Sequence, residues 1–247
     1  MVFYQIHLSS SLLISVWSGN RAVVFKRSLM FSLETFRNRV RVNKMIIHQL
    51  FPEPVYFTAL ERQLTKRELK EINTQKTKTL KNVGNATSNN TYVLENKALK
   101  NLKEDLYKMV LDYFDKVVCT DNSITPYITQ SWLNYTKASQ FHHKHRHANS
   151  YISGVFYIAA NDKVDKIVFH KSDSGPQRIQ LNVTKYNTFN SQTWWYSVKT
   201  GDLILFPSYL THGVNKKKET DTRISLSFNV FFKGTIGNKY QLTELIL

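Results

Sequence analysis

The amino-acid sequence predicts a mainly β fold, in which helices come first and an antiparallel barrel or sandwich follows. Two patterns carry this prediction. Residues 95–118 place apolar side chains at spacings of three and four, with Lys, Asp and Glu on much of the opposite face, which is typical of an amphipathic helix. Between residues 127 and 232 the apolar pattern changes to alternation, in short segments that turn residues separate and no helix interrupts.

The part of the chain before this long helix contains three further predicted elements. Residues 45–57 are interpreted as a short strand closed by two prolines. Residues 64–75 predict a helix with Thr65 as its N-cap, and Glu68 lies at the position that completes a capping box. Residues 81–93 are rich in Asn, Ser, Thr and Gly, which predicts a loop.

The second half of the chain contains seven predicted strands. Each is short, alternates apolar and polar residues or is continuously apolar, and ends at turn residues. The seven segments are residues 127–136, 151–160, 165–170, 177–186, 192–198, 202–206 and 223–232. Seven consecutive short strands without crossover helices favour an antiparallel arrangement.

The first 44 residues differ in composition from the rest. They hold seven Lys or Arg residues, one acidic residue and many serines. No basic region precedes an uninterrupted apolar stretch, so a secretory signal is not predicted; an organelle transit peptide fits the composition, and a translation start at Met45 is the interpretation we favour. We therefore predict that residues 1–44 are an extension that is disordered or not part of the fold. Residues 45–247 would form a single domain, with helical support at 60–118 and a barrel core at 127–232.

Composition limits the classes of protein to consider. The longest apolar run is far below the length of a membrane-spanning helix, and the single cysteine, Cys119, excludes an intrachain disulfide and a cysteine-based zinc site. We expect an intracellular, cytoplasmic location. The formal net charge of +16 would suit a nucleic-acid partner, but the lysines are scattered, which favours a solvated basic surface instead.

Histidines are concentrated in one segment. Four of the eight lie within six consecutive residues, and in an extended chain His143, His145 and His147 would share one face, where an adjacent pair could bind a metal ion. A solvated basic loop is the alternative. Far downstream, His212 follows the strand at 202–206 among small and apolar residues, where a structural histidine is the alternative to a ligand.

The strand at 223–229 carries the third part of the pattern. Its alternation places Arg223, Ser225, Ser227 and Asn229 on one face. An arginine is costly to bury without a partner, and its planar guanidinium suits a carboxylate held by two hydrogen bonds. An exposed polar strand with a surface arginine is the alternative. The chain thus contains, in order, His-x-His, a long strand-rich interval, one His, and an Arg eleven residues later.

This order resembles the iron(II)- and 2-oxoglutarate-dependent dioxygenases, whose barrel carries His-x-Asp/Glu, a distal His and an Arg shortly after it. The motifs SWLNY, HRHANSYISGVFYI, GDLILFPSYLTHGV and RISLSFN are similar, more closely, to a 2-oxoglutarate oxygenase family common in bacteria and phages. The resemblance covers residues 45–232. It implies a double-stranded β-helix (a jelly-roll or cupin-like barrel), with iron(II) and 2-oxoglutarate as cofactors and O₂ as cosubstrate.

The resemblance implies that His145, His147 and His212 are the metal ligands. The wider superfamily has a carboxylate where this chain has His147. Three interpretations follow: His147 ligates the metal, a carboxylate such as Asp173 completes the ligand set, or the site is degenerate. The first is our hypothesis, although His143 and His145 have the same spacing as His145 and His147. Iron is implied by the family alone, because histidine ligands by themselves would favour copper or zinc.

The resemblance also implies a binding site for 2-oxoglutarate. Arg223 matches the residue that pairs with the remote carboxylate, and Ser225 lies on the same face two residues later. Tyr157 would bring a hydroxyl group near the cosubstrate, with Asn134 and Asn229 as further candidates.

The implied activity is hydroxylation of a substrate coupled to decarboxylation of 2-oxoglutarate, and the substrate would be a protein residue, a nucleotide or a small metabolite. One alternative is a cupin-like three-histidine metalloenzyme that does not use 2-oxoglutarate, against which Arg223 argues. The other is a basic β-barrel that binds nucleic acid. The aromatic cluster at 193–198 would support it, but we assign that cluster to the core or the substrate cleft. The loop at 170–192 is predicted to frame the entrance.

Overall fold

A computed structural model describes residues 14–18, 21–25, 46–121, 123–171 and 182–247. The chain divides into two compact units, residues 1–51 and residues 52–247. In the first unit, strands β1 (Ile14–Ser18) and β2 (Arg21–Phe25) form an antiparallel hairpin. The prediction for residues 1–44 falls mostly outside the described residues and stays a prediction. Within the described parts, no helix is both long and apolar enough to cross a membrane.

The first helix of the second unit, α1 (Lys66–Lys76), begins at the predicted cap. The Thr65 hydroxyl accepts a hydrogen bond from the Glu68 backbone N–H, and the Glu68 carboxylate accepts one from the Thr65 N–H at 2.7 Å. The same carboxylate pairs with Arg62 at 2.8 Å, and Arg62 also reaches Asp105 of the next helix. The predicted capping box is therefore confirmed, and it is part of a larger ion-pair network.

The long amphipathic helix is confirmed, with irregular ends. Its α-helical part, α2, covers Lys100–Tyr113; two 3₁₀ turns at Val93–Glu95 and Lys97–Leu99 precede it, and a π-helical turn at Phe114–Val118 follows. The face that the helix buries consists of Leu102, Leu106, Val110 and Tyr113. This face has the three-and-four spacing that predicted the helix.

The remaining elements of the second unit are strands. Their bounds are β3 (Tyr56–Ala59), β4 (Thr79–Lys81), β5 (Ala86–Ser88), β6 (Ile124–Thr136), β7 (His142–His145), β8 (Ile152–Ala159), β9 (Lys166–His170), β10 (Thr193–Ser197), β11 (Asp202–Pro207), β12 (Thr211–Val214), β13 (Arg223–Ile236) and β14 (Leu245–Ile246). A larger antiparallel sheet has the order β3-β11-β8-β13-β6-β5-β4, with β14 paired to β13. A smaller antiparallel sheet has the order β10-β9-β12-β7.

Alternation along β8 explains how the larger sheet joins two apolar layers. Phe156 belongs to the core that the larger sheet shares with α2, whereas Tyr157 belongs to a second cluster that includes residues of β9 and β11. Gly154 lies where β8 meets Phe228 of β13, and a Cβ atom at this glycine would lie 2.2 Å from the Phe228 ring. Close packing against Phe228 therefore explains the glycine of the Ser-Gly-Val motif in this strand.

Some predicted elements differ from the structure. A strand was expected at 45–57, but the strand that is present, β3, begins only at Tyr56. The loop expected at 81–93 contains β5. No strand is present at 182–186, and the rest of the strand predicted at 177–186 lies outside the described residues. The short strands β7 and β12 were not predicted because neither is long enough to show an apolar alternation.

Candidate metal centre

Two neighbouring strands of the smaller sheet bring the predicted histidines together. His145 of β7 lies directly opposite His212 of β12, and their ring centroids are 4.3 Å apart. His147, just after β7, places its ring 5.0 Å from that of His145 and 5.3 Å from that of His212. One ring nitrogen from each residue lies within 4.8 Å of the others, so the three form a group that could hold one metal ion.

Backbone carbonyl groups orient two of the three rings. The Nδ1 atom of His145 lies 2.8 Å from the carbonyl oxygen of His143, and the Nδ1 atom of His212 lies 2.9 Å from that of Leu210. A carbonyl oxygen only accepts, so each Nδ1 carries the proton and donates. The Nε2 atoms of both rings are therefore left as lone-pair donors for a metal, in the arrangement that metal-binding histidines ordinarily use.

His147 lies beyond the end of β7 and is held by other contacts. Its backbone N–H donates to the carbonyl oxygen of Ser208 at 3.0 Å, and its ring stacks on Trp132 at 5.6 Å with an interplanar angle of 21°. The Ser208 hydroxyl is in turn hydrogen-bonded to those of Ser150 at 2.8 Å and Ser153 at 2.9 Å. A network of buried or half-buried serines thus fixes the segment that carries the third histidine.

Burial keeps these imidazoles neutral. The His212 ring packs edge-on against Phe206 at 4.7 Å. Burial lowers the pKa of His212 to about 3 and the pKa of His147 to about 4, and it lowers the pKa of His145, with the neighbouring imidazoles acting in the same direction. Neutral imidazole is the form that binds a metal, so the ligands are ready at neutral pH.

The three histidines line a cavity with an empty volume of about 480 Å³, including the part open to solvent. Arg223 lines the same cavity from the first position of β13. Arg223 is 3% exposed; one terminal nitrogen donates to the Thr136 hydroxyl at 3.2 Å, and its Nε is buried with no hydrogen-bond partner among the described residues. A buried guanidinium with an unpaired donor is costly unless an anionic ligand completes its hydrogen bonds.

Other predicted residues flank this arginine. Ser225 of β13 pairs in register with Asn134 of β6 and with Tyr157 of β8, and all three line the cavity. The Asn134 amide nitrogen donates to the Ser227 hydroxyl at 2.9 Å, while its buried Oδ1 has no partner in the described part of the chain. Tyr157 is fully buried, and burial raises the pKa of its hydroxyl group. These side chains form a polar wall beside Arg223.

Asn229 lies at a different place from the other candidates. It does not line the cavity, and its side chain acts on the pKa of His147, opposing the effect of burial. Its Oδ1 is buried and has no partner among the described residues. The structure therefore places Asn229 beside the third histidine and not beside Arg223. Asp173, the alternative third ligand, lies outside the described residues.

A fourth histidine, which the sequence reasoning missed, also lines the cavity. The β7–β12 register places His212 opposite His145 but Val214 opposite His142, so four residues of β7 (142–145) lie opposite three of β12 (212–214). This β-bulge turns His142 to the side of His145, and the two rings stack at 4.5 Å. His143, which simple alternation would place with His145, does not line the cavity.

Gly213 was the feature of the sequence that could have indicated this bulge. A Cβ atom there would lie 3.0 Å from the His142 carbonyl oxygen and 3.1 Å from the His143 carbonyl oxygen. Ring nitrogens of His142, His143 and His145 also lie within 4.8 Å of one another. Because His145 has only one nitrogen free, it can serve this second set or the set with His147 and His212, but not both at once.

One known protein family matches part of this chain. Residues 130–229 match a family profile described as putative 2OG-Fe(II) oxygenase, and this segment contains every ligand and cosubstrate residue predicted above. The family resemblance read from the motifs is thus confirmed. No curated protein matches the chain in sequence.

Solved structures agree on the fold. The non-heme alpha ketoglutarate dependent epimerase SnoN from nogalamycin biosynthesis has a TM-score of 0.53 at 10% identity, over 72% of this chain and 76% of its own. The carbocyclase SnoK from the same biosynthesis has a TM-score of 0.50 at 8% identity, over 73% and 79%. The predicted double-stranded β-helix is confirmed.

Proposed function

We propose that this chain, which matches the 2OG-Fe(II) oxygenase family over residues 130–229, uses O₂ to oxidise its substrate at the three-histidine centre, with 2-oxoglutarate converted to succinate and CO₂ in the same reaction. One observation carries the proposal: three neutral imidazoles and a buried arginine with an unpaired donor face the same cavity. Iron(II), when bound, supplies the oxygen chemistry, while the protein binds and orients the reactants. We place this activity in a domain at residues 45–247.

The donor set fits a divalent transition metal. His145, His147 and His212 would each provide one neutral nitrogen, and three protein ligands leave positions for a cosubstrate and for O₂. We propose His147 as the third ligand in place of the usual carboxylate. The contacts that hold its backbone and its ring support this role, since a ligand outside a strand needs such fixation.

The polar wall fits the cosubstrate. The guanidinium group of Arg223 would pair with the remote carboxylate of 2-oxoglutarate, which would give its unpaired Nε an acceptor. The hydroxyl group of Ser225 and the side chains of Asn134 and Tyr157 lie around the same part of the cavity and would orient the dicarboxylate. Asn229 would instead steady His147, because its side chain acts on that residue.

An anaerobic titration of the full chain tests the proposal. Iron(II) is added first and 2-oxoglutarate second, and the visible charge-transfer band of a chelated keto acid is recorded. We expect the band in the natural protein, a sharply weaker band in Arg223→Ala, and an unchanged band in Arg146→Ala, which removes an exposed arginine from the same histidine segment. Iron binding without a band would indicate the cupin-like alternative. Failure to bind any metal would refute the oxygenase centre.

The nucleic-acid alternative gains little support from the aromatic cluster. Tyr196 of β10 packs against Phe57 at 4.9 Å and belongs to the apolar layer of the second cluster. Trp195 is 51% exposed, but the ammonium group of Lys166 lies 3.5 Å from its ring centroid. The exposed ring is therefore covered by a side chain of the same sheet and is not a free stacking platform.

A further inference from the structure

The fourth histidine of the cavity has no role in the metal centre proposed above. His142 lines the cavity because the bulge in β7 turns it to the side of His145. β-Bulges are frequent beside active sites, where they redirect a side chain. Gly213 permits this bulge, since any larger residue would press on the carbonyl oxygens of His142 and His143. The backbone is therefore shaped to place an imidazole here.

A position as metal ligand does not explain His142. The second histidine set would need His143, which does not line the cavity, and it would need the same free nitrogen of His145 that the first set uses. Only the first set consists of three residues that all line the cavity, and backbone carbonyl groups orient two of its rings. His142 is thus next to the metal centre and outside its ligand set.

The surroundings of His142 point to an anionic ligand. Its ring stacks on that of His145 at 4.5 Å and lines the same cavity as Arg223, so it lies beside both parts of the proposed cosubstrate site. No hydrogen bond joins either of its ring nitrogens to another described residue, so a ring N–H is available to donate.

We propose that His142 is a cosubstrate-binding residue, whose ring N–H donates a hydrogen bond to 2-oxoglutarate between the metal centre and Arg223. This inference rests on the proposed function and extends it to a residue that the motif does not include. A hydrogen bond from an N–H group to a carboxylate is among the stronger ones in proteins. His142 would therefore contribute to the affinity for 2-oxoglutarate without contributing to the affinity for the metal.

The test separates these two affinities. The full chain is loaded with Co(II), which resists oxidation, and the binding of Co(II) and then of 2-oxoglutarate is measured by calorimetry for His142→Phe and for the matched control His143→Phe. We expect one Co(II) per chain and an unchanged metal Kd in His142→Phe, with the Kd for 2-oxoglutarate raised by about tenfold or more. His143→Phe should leave the Kd for 2-oxoglutarate near that of the natural protein.

His142→Gln provides a second variant, because its amide retains a donor. We expect its Kd for 2-oxoglutarate to lie between those of the natural protein and His142→Phe, which a loss of packing alone would not produce. Weaker Co(II) binding in His142→Phe would identify a metal ligand and overturn the inference, and so would a second bound Co(II) in the natural protein that His142→Phe removes. Equal effects of the His142 and His143 variants on 2-oxoglutarate would also overturn it. If the natural protein binds Co(II) but no 2-oxoglutarate, the proposed function itself fails.

Discussion

The two walls of the cavity are built in different ways. The wall with Arg223 and Ser225 belongs to the larger sheet, where β13 has 14 residues and β6 has 13, and β13 is paired on both sides. The wall with the histidines belongs to the smaller sheet, where β7 and β12 have four residues each and β7 carries a bulge. Long paired strands hold Arg223 in place through many backbone hydrogen bonds between strands, whereas short strands need extra side-chain contacts to hold three metal ligands.

The two walls are joined at a buried lysine. Lys217, between β12 and β13, is 5% exposed and places its ammonium group 3.3 Å from the buried carboxylate of Asp165, between β8 and β9; the same ammonium group also pairs with the more exposed Asp221 and Glu219 of its own connection. Its backbone N–H donates to the carbonyl oxygen of Gln140, between β6 and β7. Each of these three connections runs between the larger and the smaller sheet. The lysine therefore fixes the position of one wall relative to the other.

Breaking this junction should have the largest effect. Lys217→Met leaves Asp165 buried without its partner, and we expect it to lower the free energy of unfolding by about 3–5 kcal/mol in urea denaturation. The double variant Lys217→Met with Asp165→Leu removes both charges and should recover much of the loss. If Lys217→Met alone had no effect, the two walls would be held together by packing and not by this pair.

Removing a ligand from the smaller wall should have the next largest effect. His212→Ala deletes one of three ligands, so we expect the Kd for Co(II) to rise by more than about 100-fold, since losing a partner outside the ligand set already costs 10- to 100-fold. The control is His170→Ala, which changes a histidine of the neighbouring strand β9 that does not line the cavity. Equal losses of metal affinity in both variants would place the metal elsewhere in the smaller sheet.

A substitution in the wall of the larger sheet should change the stability of the protein instead of its metal affinity. In Gly154→Ala the new methyl group would overlap the buried ring of Phe228, so we expect the free energy of unfolding to fall by about 2–3 kcal/mol. Gly201→Ala is a useful contrast, because there the nearest atom to a new Cβ is 4.0 Å away and only the left-handed backbone opposes the change. If Gly154→Ala were neutral in urea denaturation, the two strands would not pack as closely as described.

The difference between the two walls also explains which features the sequence could predict. The alternation of RISLSFN placed Arg223 and Ser225 on one face, and both line the cavity, because β13 is long enough for its period to be read. In β7 the bulge breaks that period, so His142 was missed, and His143, although its ring lies near that of His145, does not line the cavity. Lys217 was counted as part of a solvated basic surface, since its ion pair depends on contacts between distant loops. Local sequence patterns therefore predicted the long strand β13, whereas the bulge in β7 and the ion pair of Lys217 depend on contacts between distant parts of the chain.

The smallest expected effect concerns the contacts that hold His147, the third ligand, in the wall of the smaller sheet. Ser208→Ala removes the hydroxyl that binds Ser150 and Ser153 but keeps the backbone carbonyl that holds His147. The segment carrying His147 should loosen, and we expect the Kd for Co(II) to rise by about tenfold, with little change in the affinity of the metal-loaded protein for 2-oxoglutarate.

Ser131→Ala is the matched change in the larger sheet, where an equally buried serine accepts a hydrogen bond from the Leu94 N–H at 2.9 Å. It should lower the free energy of unfolding by about 1–2 kcal/mol and leave the Kd for Co(II) unchanged. A metal effect in Ser131→Ala, or none in Ser208→Ala, would contradict the difference between the two walls. If both variants behave as expected, metal affinity depends on side-chain contacts around a short strand, and the anchor for the cosubstrate depends on the sheet itself.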